Sequence, residues 1–190
     1  KRIDKIKPKI IFFIHWSKKI PSSIYRRFFC IQFHCSSLPK FRGGSPVQNQ
    51  ILKGIKKTKL TAFKIDNKID TGEICLIKSL SLNGRASEIY SRIERISIKM
   101  IIKLSLMKKI IFKPQKGRSS FFKRRLPSES KISLKEFNNT KKLYDFLRML
   151  DAPDYPNAFL EFKKFKFVFN DVKFNSKKIK AKVQIFKNEK

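Results

Sequence analysis

Three features of this sequence predict an α/β fold. Apolar runs of strand length recur through the first half, at Lys9 to Ile14, Phe29 to Phe33, Leu60 to Ile65 and Ile74 to Ile77. Helix signals lie between and after them, including Ser45-Pro46 and a long apolar repeat from Ser87. Beyond a Ser/Lys/Arg-rich stretch the pattern changes to one helix and several short alternating strands, a small helix-plus-β subdomain. The expected division is a main domain over 1–113, a linker over 114–127 and the subdomain over 128–190.

The elements follow in order. Lys9 to Ile14, dense in Ile and Phe and preceded by Pro8, predicts a buried strand running into His15-Trp16-Ser17. A short helix is expected after Pro21-Ser22-Ser23. Phe29 to Phe33 is the next strand, and His34 stands where it gives way to a Ser/Pro/Gly loop. In open α/β sheets that carboxyl end is where ligands bind. Serine as N-cap and proline in the first turn open a helix at Ser45-Pro46, and Gly54 closes it. Its positively polarised end is expected close to the histidine loop. The strand Leu60 to Ile65 leads to a turn with Asp66 and Asp70. After Ile74 to Ile77, Asn83-Gly84 marks a turn. Ile89, Ile93, Ile96, Met100 and Leu104 then recur at three- and four-residue steps, one face of an amphipathic helix ending near Lys108-Lys109.

Pro114 to Pro127 reads as linker by composition. Thr140 is expected to cap a helix carrying Leu143, Phe146, Leu147 and Leu150, stopped at Asp151-Ala152-Pro153. Phe159 to Phe162 and Phe165 to Phe169 form a hairpin across Lys163-Lys164, and Ile179 to Ile185 a further strand.

Composition bounds the chemistry. The 190 residues suffice for one domain plus an appendage. Lys and Arg number 46 against 14 Asp and Glu, a formal net charge of +32. Such a charge attracts polyanions. Ile, Phe and Asn are inflated along with Lys, and the cations run the whole length. We therefore read the excess as compositional bias over a dedicated nucleic-acid face. Cys30, Cys35 and Cys75 form no C-x-x-C pair, which argues against a zinc site or a disulfide framework and fits a reducing cytosol. The apolar run Ile10 to Ile14 is far too short to span a bilayer, so no membrane association is expected.

His34, Ser36, Leu38, Pro39, Arg42, Gly43, Pro46 and Gln48, followed by Asp70, Thr71, Gly72 and Ile74, resemble the formyltransferases that use 10-formyltetrahydrofolate. That family includes methionyl-tRNA formyltransferase and the N-formyltransferases of nucleotide-linked amino sugars. The family pattern is roughly N-x-H-x-S-L-L-P-x-x-R-G-x-x-P-x-Q, then L-D-T-G-D-I. Gln32 stands where the family has asparagine. The resemblance runs from about Pro8 to Phe169 and implies a Rossmann-like sheet incomplete at its amino end, because several family elements precede the strand at Lys9. A bare apolar sheet edge is expected on that ground. The tail, with Phe121-Phe122-Lys123-Arg124-Arg125 and Tyr155-Pro156-Asn157-Ala158-Phe159, resembles the compact C-terminal part of sugar-type relatives.

The resemblance implies an enzyme with 10-formyltetrahydrofolate as co-substrate and no metal. Formyl transfer passes through a tetrahedral oxyanion while an amine loses a proton, so it needs a base and an oxyanion donor. His34 suits the base because an ordinary histidine titrates near neutrality. Asp70 would orient and strengthen it, or only form the turn. Gln32 would offer its amide to the oxyanion. His15 reads as lining the folate pocket or as packing, and Trp16 as stacking on a pterin or filling the core. Leu38, Asp66 and Ile69 complete the implied folate site. Ser36, Arg42 and Gly43 are assigned to the acceptor, with Arg42 either meeting an acceptor phosphate or holding the loop. The expected acceptor is the amine of a nucleotide-linked amino sugar. Methionyl-tRNA is the second reading, and a catalytically silent remnant the third.

Overall fold

The computed structural model describes residues 2–153, 155–175 and 177–187. In chain order the elements are α1 (Arg2–Ile6), β1 (Ile11–Phe13), α2 (Ser22–Tyr25), β2 (Cys30–His34), β3 (Arg42–Gly43), α3 (Pro46–Leu52), β4 (Lys57–Lys64), β5 (Ile74–Ser81) and α4 (Ala86–Leu106). There follow β6 (Phe121–Phe122), two 3-10 turns at Pro127–Ser130 and Leu134–Glu136, α5 (Thr140–Arg148), β7 (Phe159–Phe162), β8 (Phe165–Asn175) and β9 (Lys178–Lys187). The chain is mixed α/β and forms two compact units. One comprises Lys1–Pro46, Lys57–Leu80 and Arg92–Lys123, the other Val47–Lys56, Ser81–Ser91 and Arg124–Lys190.

In the first unit, four strands form one sheet in the order β1-β2-β4-β5. β1 and β2 are parallel, with Phe13 opposite Gln32. The segment between them, with α2, is long enough for the crossover that parallel strands require. Ile20, Cys30 and Ile65 make a buried cluster beneath Ile11, Phe13, Ile24, Tyr25 and Phe28, so the crossover covers this part of the sheet. β2 and β4 are antiparallel, with His34 opposite Thr61, so the sheet is mixed. The sequence could not show this. Four successive residues of β4, from Leu60 to Phe63, are buried, and a run buried on both faces carries no direction in its pattern.

The helix from Ser87 is α4, and its buried line is Ile89, Ile93, Ser97, Met100 and Leu104. Ser97 takes the place expected for Ile96, which is only partly buried. The Ser97 hydroxyl has no hydrogen-bond partner among the described residues. Gly72 follows β4 at a close backbone approach: a Cβ there would lie 1.6 Å from the Lys64 carbonyl oxygen.

The second unit is held by buried polar groups. Gln48 of α3 donates through Nε2 to Tyr90 Oη (2.7 Å) and to the Met149 carbonyl (3.2 Å). α3 ends as expected at Gly54, whose φ is +73°. The Gly54 amide donates to the Ile51 carbonyl and that of Ile55 to Gln50, a Schellman closure. Arg148 is buried and donates to the carbonyls of Leu82 (2.7 Å) and Gly84 (2.6 Å). Asn139, and not Thr140, caps α5, its side chain accepting from the Lys142 amide at 2.9 Å. Either residue type can cap, so the choice rested on geometry. β7 and β8 form the expected hairpin, turning at Lys163 with φ +51°, and β9 pairs antiparallel with β8 to extend it into a meander. α5 covers part of it through Tyr144, whose ring stacks on Phe174 at 5.0 Å.

Two stability predictions follow from these packings. Gly72→Ala should destabilise by about 2 kcal/mol or more, since the intruding methyl meets backbone and not a flexible side chain. Chemical denaturation of the two proteins would measure the loss. Ser97→Ala should instead raise stability, by roughly 0.5–1 kcal/mol, by removing an unpaired hydroxyl and adding helix propensity. A drop in unfolding midpoint for Ser97→Ala would contradict the packing described.

Candidate active site

β2 ends at His34 because the chain leaves the sheet there in a tight, internally bonded loop. Ser36 is fully buried, donates through Oγ to the Lys40 carbonyl (2.7 Å) and accepts at its own carbonyl from Thr61 Oγ1 (2.7 Å). Leu38 is buried, and the Leu38–Pro39 peptide is cis. Phe41 takes a left-handed φ of +61°, unfavourable for a residue with a Cβ. Its carbonyl points back to the histidine, and His34 Nε2 donates to it at 2.8 Å. A carbonyl can only accept, so the hydrogen sits on Nε2.

The other ring nitrogen faces Asp70. His34 Nδ1 lies 3.4 Å from Asp70 Oδ2, and both side chains are at least 93% buried. The same carboxylate oxygen accepts from the Gly43 amide at 2.8 Å. Asp70 holds a left-handed φ of +54° and Gly43 one of +93°. A Cβ on Gly43 would also lie 2.3 Å from the Phe122 carbonyl oxygen, so the amide reaches Asp70 only because the residue is glycine. Non-glycine residues in this region cluster where a structure constrains a functional site. A protonated imidazole would find its charge balanced by Asp70 with no rearrangement.

The remaining residues singled out in the sequence divide into two groups. Arg42, Gly43, Ser36 and Leu38 lie in the His34 loop and its continuation. The Arg42 guanidinium is tied to Gln115 Oε1 through Nη2 (2.7 Å) and Nε (3.3 Å). Asp66 builds the following turn, accepting from the Lys68 amide (3.0 Å) and from Thr71 Oγ1 (2.7 Å). Gln32 shares the His34 face of β2, two residues away. It is partly buried, and its amide has no hydrogen bond among the described residues.

His15 and Trp16 leave the carboxyl end of β1, beside that of β2. Trp16 is 48% exposed and meets Phe13 edge-on at 5.5 Å, which removes the core-filling reading. Ile69 is exposed as well. His15 keeps an exposed surface, yet crowding lowers its pKa below the ordinary histidine value against the opposing pull of Glu94. Burial pushes the Cys35 thiol up to about 12 and Cys75 to about 11, so neither offers a thiolate near neutral pH. Among the described residues no group of His, Cys, Asp and Glu could hold a metal ion, and no helix is long and apolar enough to cross a membrane.

The sequence reading missed the stretch that holds this loop in place. Within 114–127, read as linker, Phe121–Phe122 is the strand β6, parallel to β3. Ser120 accepts from Phe41 N through Oγ and from Arg42 N through its carbonyl, at 2.9 Å each. The Phe122 ring stacks on Phe41 at 4.9 Å. Gln115 Nε2 donates to the carbonyls of Asp70 (2.9 Å) and Gly72 (2.8 Å). The one legible signal was the apolar pair Phe121-Phe122 inside a polar stretch.

Comparison with known proteins places this geometry in a family. Residues 1–103 match the family model described as formyl transferase, and residues 127–186 the one described as methionyl-tRNA formyltransferase, C-terminal domain. A solved methionyl-tRNA formyltransferase from Clostridium thermocellum is 41% identical, with a TM-score of 0.93 over 98% of this chain and 82% of that one. The methionyl-tRNA formyltransferase of Thermodesulfovibrio yellowstonii is 27% identical over 90% of this chain, which spans 58% of that protein's length. A sugar N-formyltransferase from a Shewanella species shares the fold, with a TM-score of 0.63 at 18% identity over 80% of this chain and 64% of that one. The buried His34–Asp70 pair thus lies within the matched segment, and the chain belongs to the formyl transferase family.

Proposed function

We propose that this protein transfers the formyl group of 10-formyltetrahydrofolate to the amino group of methionyl-tRNA. The observation that carries the reaction is the buried His34–Asp70 pair, with Gly43 N on the carboxylate and Phe41 O on the far nitrogen. In this reading the acceptor amine attacks the formyl carbon, forming a carbon–nitrogen bond and a tetrahedral oxyanion. The amine proton passes to the His34 imidazole, whose unprotonated nitrogen is Nδ1 while Nε2 donates to Phe41 O, and Asp70 balances the imidazolium. The oxyanion then collapses, the bond to the folate nitrogen breaks, and the proton leaves on that nitrogen. Gln32 presents its amide to the oxyanion from the same face of β2. Trp16 and Ile69, both exposed, offer apolar surface to the folate, and His15, Leu38 and Asp66 shape the loops around it.

The acceptor reading departs from the amino sugar expected from the sequence. Methionyl-tRNA is supported by the match of 127–186 and by the 41% identical structure, whereas the sugar enzyme shares only the fold. The charge of +32 supports a polyanionic acceptor too. Strand alternation puts Lys178, Lys180 and Lys182 on one face of β9, with Lys173 of β8 opposite Lys180. Like charges set opposite one another destabilise a sheet unless an anion meets them.

In a formylation assay with 10-formyltetrahydrofolate, charged initiator tRNA should be formylated in preference to nucleotide-linked amino sugars. Its binding should weaken steeply with salt. Preference for an amino sugar would restore the other acceptor, and no transfer to either would end the catalytic reading. His34→Ala and Asp70→Asn should each lower turnover by about 100-fold or more with thermal unfolding little changed, the scale of general acid–base catalysis. Near-normal turnover in either variant would remove that residue's role.

A further inference from the structure

We infer that Gln115 is a positioning residue of the formyl-transfer site, acting through Asp70. The inference rests on the catalytic reading of His34 and Asp70. A buried carboxylate can serve an imidazole only if its own backbone is fixed, and Asp70 sits in a left-handed conformation that a non-glycine residue does not hold unaided. Its neighbours Ile69 and Lys68 are exposed and give it little packing.

Gln115 supplies the missing restraint. Its Nε2 donates to the carbonyls on both sides of the turn, Asp70 O at 2.9 Å and Gly72 O at 2.8 Å. Its Oε1 accepts from the Arg42 guanidinium. The segments 42–43 and 70–72 are therefore joined twice, through the Gly43 amide on the Asp70 carboxylate and through the Gln115 amide on the backbone. One bond aims the carboxylate and the other holds the backbone from which it is aimed. An amide is the side chain this junction requires, with two N–H groups for two carbonyls and an oxygen for a cation. A glutamate would keep the Arg42 contact but set its charge against both carbonyls. The nearby bonds from Ser120 and Phe122 to residues 39–44 anchor the loop and leave the Asp70 turn to Gln115.

Gln115→Glu retains size and the Arg42 tie, and Gln115→Ala removes both contacts. The chain has only two histidines, His15 and His34, so ring nitrogen NMR resolves the site directly, with His34→Ala giving the assignment. In both variants the His34 nitrogen resonances should move in the direction produced by Asp70→Asn, while those of His15 stay fixed. Turnover should fall about 10- to 100-fold with substrate KM within twofold, as a misplacement near 1 Å would cause. Adding Gln115→Ala to Asp70→Asn should cost little more, since both act on one group. Unmoved His34 resonances in folded Gln115→Glu would overturn the assignment. So would equal movement of His15, or loss of the fold in Gln115→Glu, either of which makes Gln115 a general structural residue. The NMR readout needs no turnover, so it stands even if the proposed acceptor is wrong.

Discussion

A carboxylate buried beside an imidazole is the constraint around which the first unit is arranged. An unpaired buried charge costs several kcal/mol, so Asp70 can be present only with donors already in place. Gly43 provides one through its amide, His34 faces the same oxygen, and the turn that carries Asp70 is held by Gln115. Three separate segments must meet for this. β2 delivers the histidine, the pairing of β3 with β6 sets the Gly43 amide, and the chain beyond β4 delivers the aspartate. The left-handed residues Phe41, Gly43 and Asp70 lie where those segments bend toward one another. Their strain is local, and the bonds that offset it are those that build the site.

Much of this was legible in the sequence, and the reasons differ by element. His34 and Asp70 could be found because strand ends and turn residues leave local marks, and because their spacing matches a family pattern. The helix end at Gly54 and the hairpin at Lys163-Lys164 were legible for the same reason, since each depends on a few adjacent residues. Gln115 was not, because its partners lie 43 to 73 positions away and a polar residue among Ser, Lys and Arg looks like linker. Strand direction escaped for a related reason: β4 is buried on both faces, and burial erases the alternation that would orient it. Asn139 displaced Thr140 as the cap of α5 through a choice between adjacent residues that composition leaves open.

Lysine content bears on the proposed acceptor through geometry. A chain rich in lysine for compositional reasons still distributes its charge by geometry, because a strand sends alternate side chains to opposite faces. On β9 that separates Lys178, Lys180 and Lys182 from Ile179, Val183 and Ile185, whatever the origin of the lysines. Scatter along the sequence is therefore no argument against a charged face in the fold. The same alternation leaves Val183 and Ile185 exposed on the opposite side, so the sheet presents two chemically distinct surfaces.

Gln32 shows how far a one-carbon change can be absorbed by such a site. Its Cα is fixed by parallel pairing to Phe13 and antiparallel pairing to Phe63, so the strand itself cannot shift to compensate. The longer side chain carries its amide about 1.5 Å further than asparagine would, one carbon–carbon bond. It also adds a rotatable bond whose freedom is lost whenever the amide is held in place. Neither effect burdens the fold, because the amide has no hydrogen bond among the described residues to lose. In the proposed reaction both fall on the step in which an oxyanion must be met by a donor at the right place. On the proposed reaction, a glutamine at this position leaves the His34–Asp70 pair intact and puts its consequence on the barrier to transfer.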